Sequence, residues 1–334
     1  MKKYWLLLLI VCFLVSGCGN YNQKDIVKDF SKKLEDSSGY KLSGNLVVNN
    51  NDESYTYKIE VGYKKENFYK VILRNELSDS TQIILKNSDG VYVITPALNK
   101  SFKFQSDWPY NNSQIYLLDA LNNDLDRDKE RKFKLEDNKY IFTTKVKYPN
   151  NSKLVKQKIY MNKKFKIDKV IVYDKDGIQN MVMDFDRIDY SPSFSKDYFS
   201  LDKIVTKGEI IEEEKDASRT ANMNDVIYPL FLPNGTKLVN EEKIKTDSGE
   251  RVIMNYDGEK SFLLVEETAD VFNEFTVIPA SGEPFQLLDS LGVMTNNSLS
   301  WVSNGIEYYL VSDVMNNEEM IEVAQSIGGV VSYK

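Results

Sequence analysis

The sequence predicts an α+β protein: a strongly curved antiparallel sheet that forms a half-barrel over helices, followed by a smaller α+β domain. Three observations predict this class. Between Tyr40 and Lys203, apolar and polar residues alternate through about eleven short segments with turn residues between them. Two other segments carry apolar residues at helical spacing, and a cluster of acidic residues divides the chain. An antiparallel sheet of this width must curl, and the two amphipathic helices can cover its concave face.

The first element is a signal peptide in residues 1–17. Lys2 and Lys3 precede an apolar stretch from Tyr4 to Leu14, which is too short to cross a bilayer as a helix. The stretch ends in Val15-Ser16-Gly17-Cys18, which resembles the lipobox of bacterial lipoproteins. This resemblance implies cleavage before Cys18 and a covalent diacylglycerol/palmitate anchor at that residue, with no other cofactor. The remaining alternative is a short membrane anchor with an incidental cysteine.

Composition excludes several classes of function. The chain has no histidine, and Cys12 leaves with the signal peptide, so His- or Cys-based catalysis and transition-metal sites are not expected. Removal of residues 1–17 leaves 41 basic and 50 acidic residues, a net charge of −9, which argues against nucleic-acid binding. We therefore expect no catalytic residue, no metal ligand and no enzyme activity.

The remaining elements follow in order along the chain. Residues 18–24 form a polar tether, and Ile26, Val27, Phe30 and Leu34 form one stripe of a first helix. Strand patterns from "YKLSGNLVV" to "SFKFQS" precede the helical segment "NSQIYLLDALNNDL", and strands resume from "RKFKLE" to "IQNMVMDFDRIDY". These elements make up a half-barrel domain in residues 25–203.

One stretch of this domain resembles LolA-like lipoproteins, a group related to the RseB and MucB proteins. The resemblance rests on "GVYVITPALNKSF" (90–102) with Trp108-Pro109, and on the segments around 113–125 and 147–165. The subgroup it most resembles is the sporulation and germination lipoproteins of Gram-positive spore-formers, which includes GerS. The resemblance implies a half-barrel with an apolar concave face, and it implies a protein partner such as a cortex-modifying amidase.

The last two elements are a linker and a small domain. Residues 204–224 are rich in acidic residues and are expected to be an exposed linker, with a solvated helix as the alternative. Residues 225–334 combine strand patterns with a final helical stripe and are expected to form a small α+β domain. This order resembles a domain of unassigned function that ends many anchored Gram-positive proteins.

The candidate contact site is a set of large apolar residues between the sixth strand and the second helix. They could line a cleft for an acyl chain or a partner's side chain, but ordinary core packing is the simpler explanation. The set consists of Phe102, Phe104, Trp108, Tyr110, Leu117, Leu118 and Leu121.

Together these features predict a non-catalytic binding or regulatory lipoprotein. We expect it on the outer face of the cell membrane, including the membrane around the forespore, held by its lipid and acting on a protein partner in sporulation, cortex assembly or germination. A carrier-like binder of lipid or lipoprotein acyl chains is the alternative, and a cell-wall enzyme is a remote one.

Overall fold

The computed structural model describes residues 22–50, 53–78, 80–109, 113–148, 151–206, 226–247, 249–287 and 290–327. In these ranges the chain forms two large sheets with a few helices, and this confirms the predicted α+β class. The helices are α1 (Gln23–Asp36), α2 (Leu118–Arg127), α3 (Leu201–Thr206) and α4 (Asn317–Gln325), and a 3-10 turn spans Pro96–Leu98. Residues 1–21, with the predicted signal peptide and Cys18, lie outside the described residues.

The first sheet has twelve strands in the order β15-β6-β5-β4-β3-β2-β1-β11-β10-β9-β8-β7. Eleven of them, β1 to β11, are the strands predicted from alternation, and they pair antiparallel with one another. Their bounds are β1 (Gly39–Asn50), β2 (Glu53–Lys64), β3 (Phe68–Asn75), β4 (Thr81–Asn87), β5 (Gly90–Thr95), β6 (Lys100–Phe104), β7 (Lys132–Glu136), β8 (Lys139–Lys145), β9 (Leu154–Asn162), β10 (Ile167–Asp174) and β11 (Gln179–Asp189).

Helices α1 and α2 supply the apolar side chains that pack with this sheet in the main core. Asn22 caps α1 by accepting hydrogen bonds from the backbone N–H groups of Lys24 and Asp25 at 2.8 and 3.2 Å. The predicted stripe of α1 is buried, and Phe30 is fully enclosed. Helix α2 begins at Leu118, three residues later than the apolar pattern suggested. Its first N–H is held by the Tyr40 hydroxyl at 3.2 Å rather than by a side chain at its own N-cap.

The opposite face of the sheet carries a second apolar layer that the sequence did not reveal. After β11 the chain crosses this face, where Phe199 and Ile204 pack on Ile83 and Leu85. Tyr198 lies so close to Gly62 that a Cβ there would be 2.5 Å from its ring. Glycine is therefore required at position 62 by the close approach of the ring.

The second sheet has seven strands in the order β12-β13-β14-β19-β18-β17-β16. Helix α4 packs on one face, and it begins with a capping box in which Asn316 and Glu319 bond each other's backbone N–H groups. The bounds are β12 (Lys237–Lys245), β13 (Glu250–Asp257), β14 (Phe262–Thr268), β16 (Glu283–Gln286), β17 (Leu291–Met294), β18 (Ser298–Ser303) and β19 (Ile306–Val311).

One strand from the C-terminal region belongs to the first sheet. Strand β15 (Thr276–Ala280) pairs in parallel with β6, with Thr276 opposite Lys100 and Ala280 opposite Phe104. The region 225–334 therefore extends the half-barrel sheet as well as forming its own sheet. The assignment of residues 204–224 as a linker stays a prediction: α3 occupies 201–206, and residues 207–225 lie outside the described ranges.

No helix of the described part combines the length and the apolar character that a membrane span needs.

Candidate functional site

The structure places most of the predicted contact residues inside the main core. Phe104, Trp108, Leu117, Leu118 and Leu121 are buried. Phe102 is half-buried at its edge, and Tyr110 lies outside the described residues. The buried five can contact a ligand or partner only if the surrounding core opens, so their role in contact stays a prediction.

The C-terminal region contributes side chains to this same core. Leu291 and Val293 of β17 are buried in the main cluster together with residues of the half-barrel. Gln82 of β4 fixes Leu291 by a double hydrogen bond, in which its amide donates to the Leu291 carbonyl at 3.3 Å and accepts from the Leu291 N–H at 2.6 Å. Gln82, Leu291 and Val293 are all buried, so this contact is part of the folded core.

A buried ion pair crosses the same junction. The Lys100 ammonium on β6 lies 2.7 and 2.9 Å from the two carboxylate oxygens of Glu307 on β19. Lys100 is 5% exposed and Glu307 is 8% exposed. The Tyr309 hydroxyl donates to the Glu307 carboxylate at 2.6 Å, and burial raises the pKa of Tyr309 so that it stays protonated. Each member of the pair is therefore hydrogen-bonded as well as neutralised.

A small cavity remains beside the ion pair. It is lined by Gln82, Phe102, Trp301 and Glu307 among others and encloses about 10 Å³. This volume is close to what one water molecule needs, and it is far below the several hundred Å³ of a ligand pocket.

A second contact joins the two regions at the loop between β8 and β9. Ser152 donates to the Glu318 carboxylate at the start of α4, and its N–H lies 3.3 Å from the same oxygen. Lys153 forms an ion pair with Glu322 on the next turn of that helix. The C-terminal region thus holds the half-barrel both at the β6 edge and at this loop.

Two aspartates on α2 were missed by the sequence analysis; Asp124 is buried and Asp119 is half-buried. Asp119 accepts hydrogen bonds from Tyr40 at 3.0 Å and Tyr69 at 3.4 Å; burial raises its pKa, and these bonds oppose that rise. Burial also raises the pKa of Asp124 to about 6, while Gln157 donates to it at 2.8 Å. The sequence signal that could have revealed them is their position in α2, next to core-facing residues such as Leu118 and Leu125.

A third carboxylate, Glu266, is buried in the second sheet, and burial raises its pKa to about 7. One of its oxygens accepts the N–H of Ile227 at 3.1 Å, and the other has no hydrogen-bond partner among the described residues. Within the described ranges no three carboxylate, His or Cys groups come close enough to hold a metal ion.

Comparison with known proteins identifies the family. No protein-family model matches the sequence. The chain is 37% identical to the sporulation protein YdcC of Bacillus subtilis (strain 168) over 334 residues, which cover 98% of this chain and 97% of that protein. The chain belongs to the YdcC family. The predicted resemblance to sporulation proteins is confirmed at this level.

Solved structures similar to this YdcC-family chain include a MucB complex, a putative lipoprotein-sorting domain and a GerS complex. The Pseudomonas aeruginosa MucA/MucB complex has a chain that is 13% identical, with a TM-score of 0.33 and coverage of 90% of this chain and 97% of that one. A putative lipoprotein-sorting domain from Vibrio parahaemolyticus is 11% identical, with a TM-score of 0.35 and coverage of 55% and 99%. A chain of the Clostridioides difficile complex between the CwlD amidase and the GerS lipoprotein is 19% identical, with a TM-score of 0.20 and coverage of 52% and 95%.

Proposed function

We propose that this YdcC-family protein is a lipid-anchored, extracytoplasmic binding module that acts in sporulation by holding a protein partner. The observation that carries the proposal is the 37% identity to a sporulation protein along nearly the whole of both chains. Similarity over this full length includes both the half-barrel and the C-terminal region, so the two chains share the entire arrangement rather than one module.

The anchor is proposed from the N-terminal sequence. Two lysines, an apolar stretch of eleven residues and Ser16-Gly17-Cys18 follow one another in the order that a lipoprotein signal requires. A thioether-linked diacylglycerol on Cys18 would fix the protein to the outer face of the cell membrane, because two or more acyl chains give stable anchoring.

The chemistry of the described residues favours binding over catalysis. The chain has no histidine, and the carboxylates with raised pKa values, Asp119, Asp124 and Glu266, are each hydrogen-bonded within the fold. A general acid or base must reach its substrate within hydrogen-bonding distance. We therefore assign no catalytic role to these three carboxylates.

The closed core favours a protein partner over an acyl chain. Helices α1 and α2 pack with the half-barrel strands in one core, and Leu291 and Val293 from the C-terminal region join it. An acyl carrier would have to displace these side chains, and the two hydrogen bonds between Gln82 and Leu291 oppose this. We therefore place the partner contact on the outside of the folded unit.

Complementation tests the role and the anchor together. In a spore-former that lacks its own YdcC-family gene and sporulates poorly as a result, the wild-type chain should restore heat-resistant spores. Cys18→Ala should fail because the protein loses its lipid. Cys12→Ala is the matched control, since that cysteine leaves with the signal peptide, and it should restore spores fully. Full restoration by Cys18→Ala, or none by a well-expressed wild-type chain, would refute the proposal.

A further inference from the structure

The distance between the proposed lipid and the folded domain is short. Asn22, which caps α1, is only four residues after Cys18. A fully extended chain spans at most about 3.6 Å per residue, so Asn22 can lie no more than about 14 Å from Cys18. A folded unit of some 300 residues has a radius of gyration near 19 Å, so this tether is shorter than the unit is wide.

The tether is attached to a rigid point of the fold. Ile26 and Phe30 of α1 are fully buried in the main core, and Asn22 closes the first turn of the helix by its two capping bonds. The start of α1 therefore cannot move away from the half-barrel without unfolding its first turns. Whatever surface surrounds Asn22 must face the membrane.

Two hydrogen bonds indicate that α1 and α2 run in opposite directions. Ser31 in the middle of α1 donates to Asn122 in the middle of α2 at 2.8 Å. The first residue of α2, Leu118, is bonded to Tyr40, which follows the end of α1. Since α2 begins where α1 ends, its last turn and residues 128–131 lie near the beginning of α1.

The turn between β2 and β3 lies at the other end of α1. The N–H of Lys65 in this turn donates to the carbonyl of Ser38, two residues past the helix, at 3.0 Å. Helix α1 has 14 residues, which gives a length of about 21 Å at 1.5 Å per residue. Glu66, exposed in the turn, is thus about a helix length from the tether.

We propose that the protein rests on the lipid bilayer through its tether end, defined as residues 22–25 of α1 and residues 126–131 after α2. This proposal rests on lipidation of Cys18, which belongs to the proposed function. The tether end carries both exposed cations, such as Lys24 and Lys129, and exposed anions, such as Asp25 and Asp126. The orientation is therefore set by the short tether and not by anionic lipid, and the Glu66 end points away from the membrane toward a partner.

Energy transfer in vesicles tests this orientation. The full-length chain would be produced in a bacterium that processes lipoproteins and placed in phosphatidylcholine vesicles with an acceptor on the headgroups. A donor would be attached at Lys129→Cys or, as the matched exposed control, at Glu66→Cys; Cys18 is blocked by its lipid. We expect clearly more transfer from position 129 than from position 66, unchanged at high salt. Equal transfer, or more from position 66, would overturn the proposal.

Two further measurements separate this proposal from the anchor itself. The mass of the N-terminal peptide shows whether Cys18 carries lipid, and a 20-residue Gly/Ser insertion after Gly19 should lower the transfer from position 129. A lipidated protein with no difference between positions 129 and 66 would refute the orientation and leave the anchor standing. An unlipidated Cys18 would refute both.

Discussion

Replacing Lys100 with methionine should destabilise the whole protein by about 3–5 kcal/mol, the range measured when one partner of a buried ion pair is removed. The ammonium of Lys100 contacts both Glu307 oxygens within 2.9 Å, and both residues are more than nine-tenths buried. Methionine fills a similar volume but leaves the Glu307 carboxylate in the core with only the Tyr309 hydroxyl as a partner. The cost comes from that uncompensated charge rather than from lost packing.

The double substitution Lys100→Met/Glu307→Gln separates the cost of an unpaired buried charge from the cost of altered packing. It removes both charges together, so it should cost about 2 kcal/mol less than Lys100→Met alone. Lys134→Met is the matched control, because Lys134 pairs with Glu136 on the exposed strand β7. Loss of such a surface pair should leave the stability essentially unchanged.

Urea unfolding of residues 19–334, followed by tryptophan fluorescence, measures the loss of unfolding free energy and shows whether both regions are destabilised. Trp5 leaves with the signal peptide, which leaves Trp108 in the half-barrel and Trp301 in the second sheet. Variants with Trp108→Phe or Trp301→Phe each report on one region. Lys100→Met should shift both transitions together, because the regions share a core. A loss below about 1 kcal/mol, or a shift seen by one tryptophan alone, would refute the reasoning.

Three further substitutions test other parts of the account. Gly62→Ala should cost about 1–3 kcal/mol in urea unfolding by displacing Tyr198, and should add little when combined with Tyr198→Ala; an equal cost in both backgrounds would contradict this. Burial raises the pKa of Glu266 from 4.5 to about 7 in the folded protein. Protonation of this carboxyl therefore contributes its full share of stability below pH 4.5, and that contribution is lost as the pH rises through about 7. Glu266→Gln, which keeps an acceptor for Ile227, should therefore stabilise the protein by roughly 1–3 kcal/mol at pH 8 and by less at pH 5, and a gain independent of pH would be the wrong result. Asn316→Ala should lower stability by about 1 kcal/mol through loss of the cap of α4, measured by the same denaturation, and no change would show that the capping box is not needed.

Strands β1 to β11 could be predicted because the information that defines them is local. Alternation shows which residues face the core, and short turns such as Ser88-Asp89-Gly90 require antiparallel neighbours. Helix α1 was predicted for the same reason, from its apolar stripe and the residues that end it. Strands β12 and β17 lacked such a signal: β12 is exposed on both faces, and β17 is only four residues long.

The junction between the two regions could not be predicted, because its parts are far apart in sequence. Strand β15 has a pattern that fits either sheet, and its partner β6 lies more than 170 residues earlier. Lys100 and Glu307 each occupy an alternating strand, where a charged residue normally indicates the solvent face. Only the packing of one region on the other reveals that both are buried.

The candidate site shows the same limit. Phe104, Trp108 and Leu121 are apolar and lie inside the fold, but apolar character alone does not distinguish the lining of a cleft from a filled core. The side chains that complete the core come from β17, which no local pattern places there. The environments of Asp119 and Asp124 on α2 depend likewise on partners on distant strands, Tyr40 and Gln157 respectively.

The central claim is that the C-terminal region closes the half-barrel, so that the protein holds a partner on its surface and no acyl chain inside. Native mass spectrometry of residues 19–334, purified from a lipid-containing cell extract without detergent, tests it most directly. We expect the mass of the polypeptide alone, with no bound lipid. A stoichiometric lipid adduct that is lost only on unfolding would contradict it.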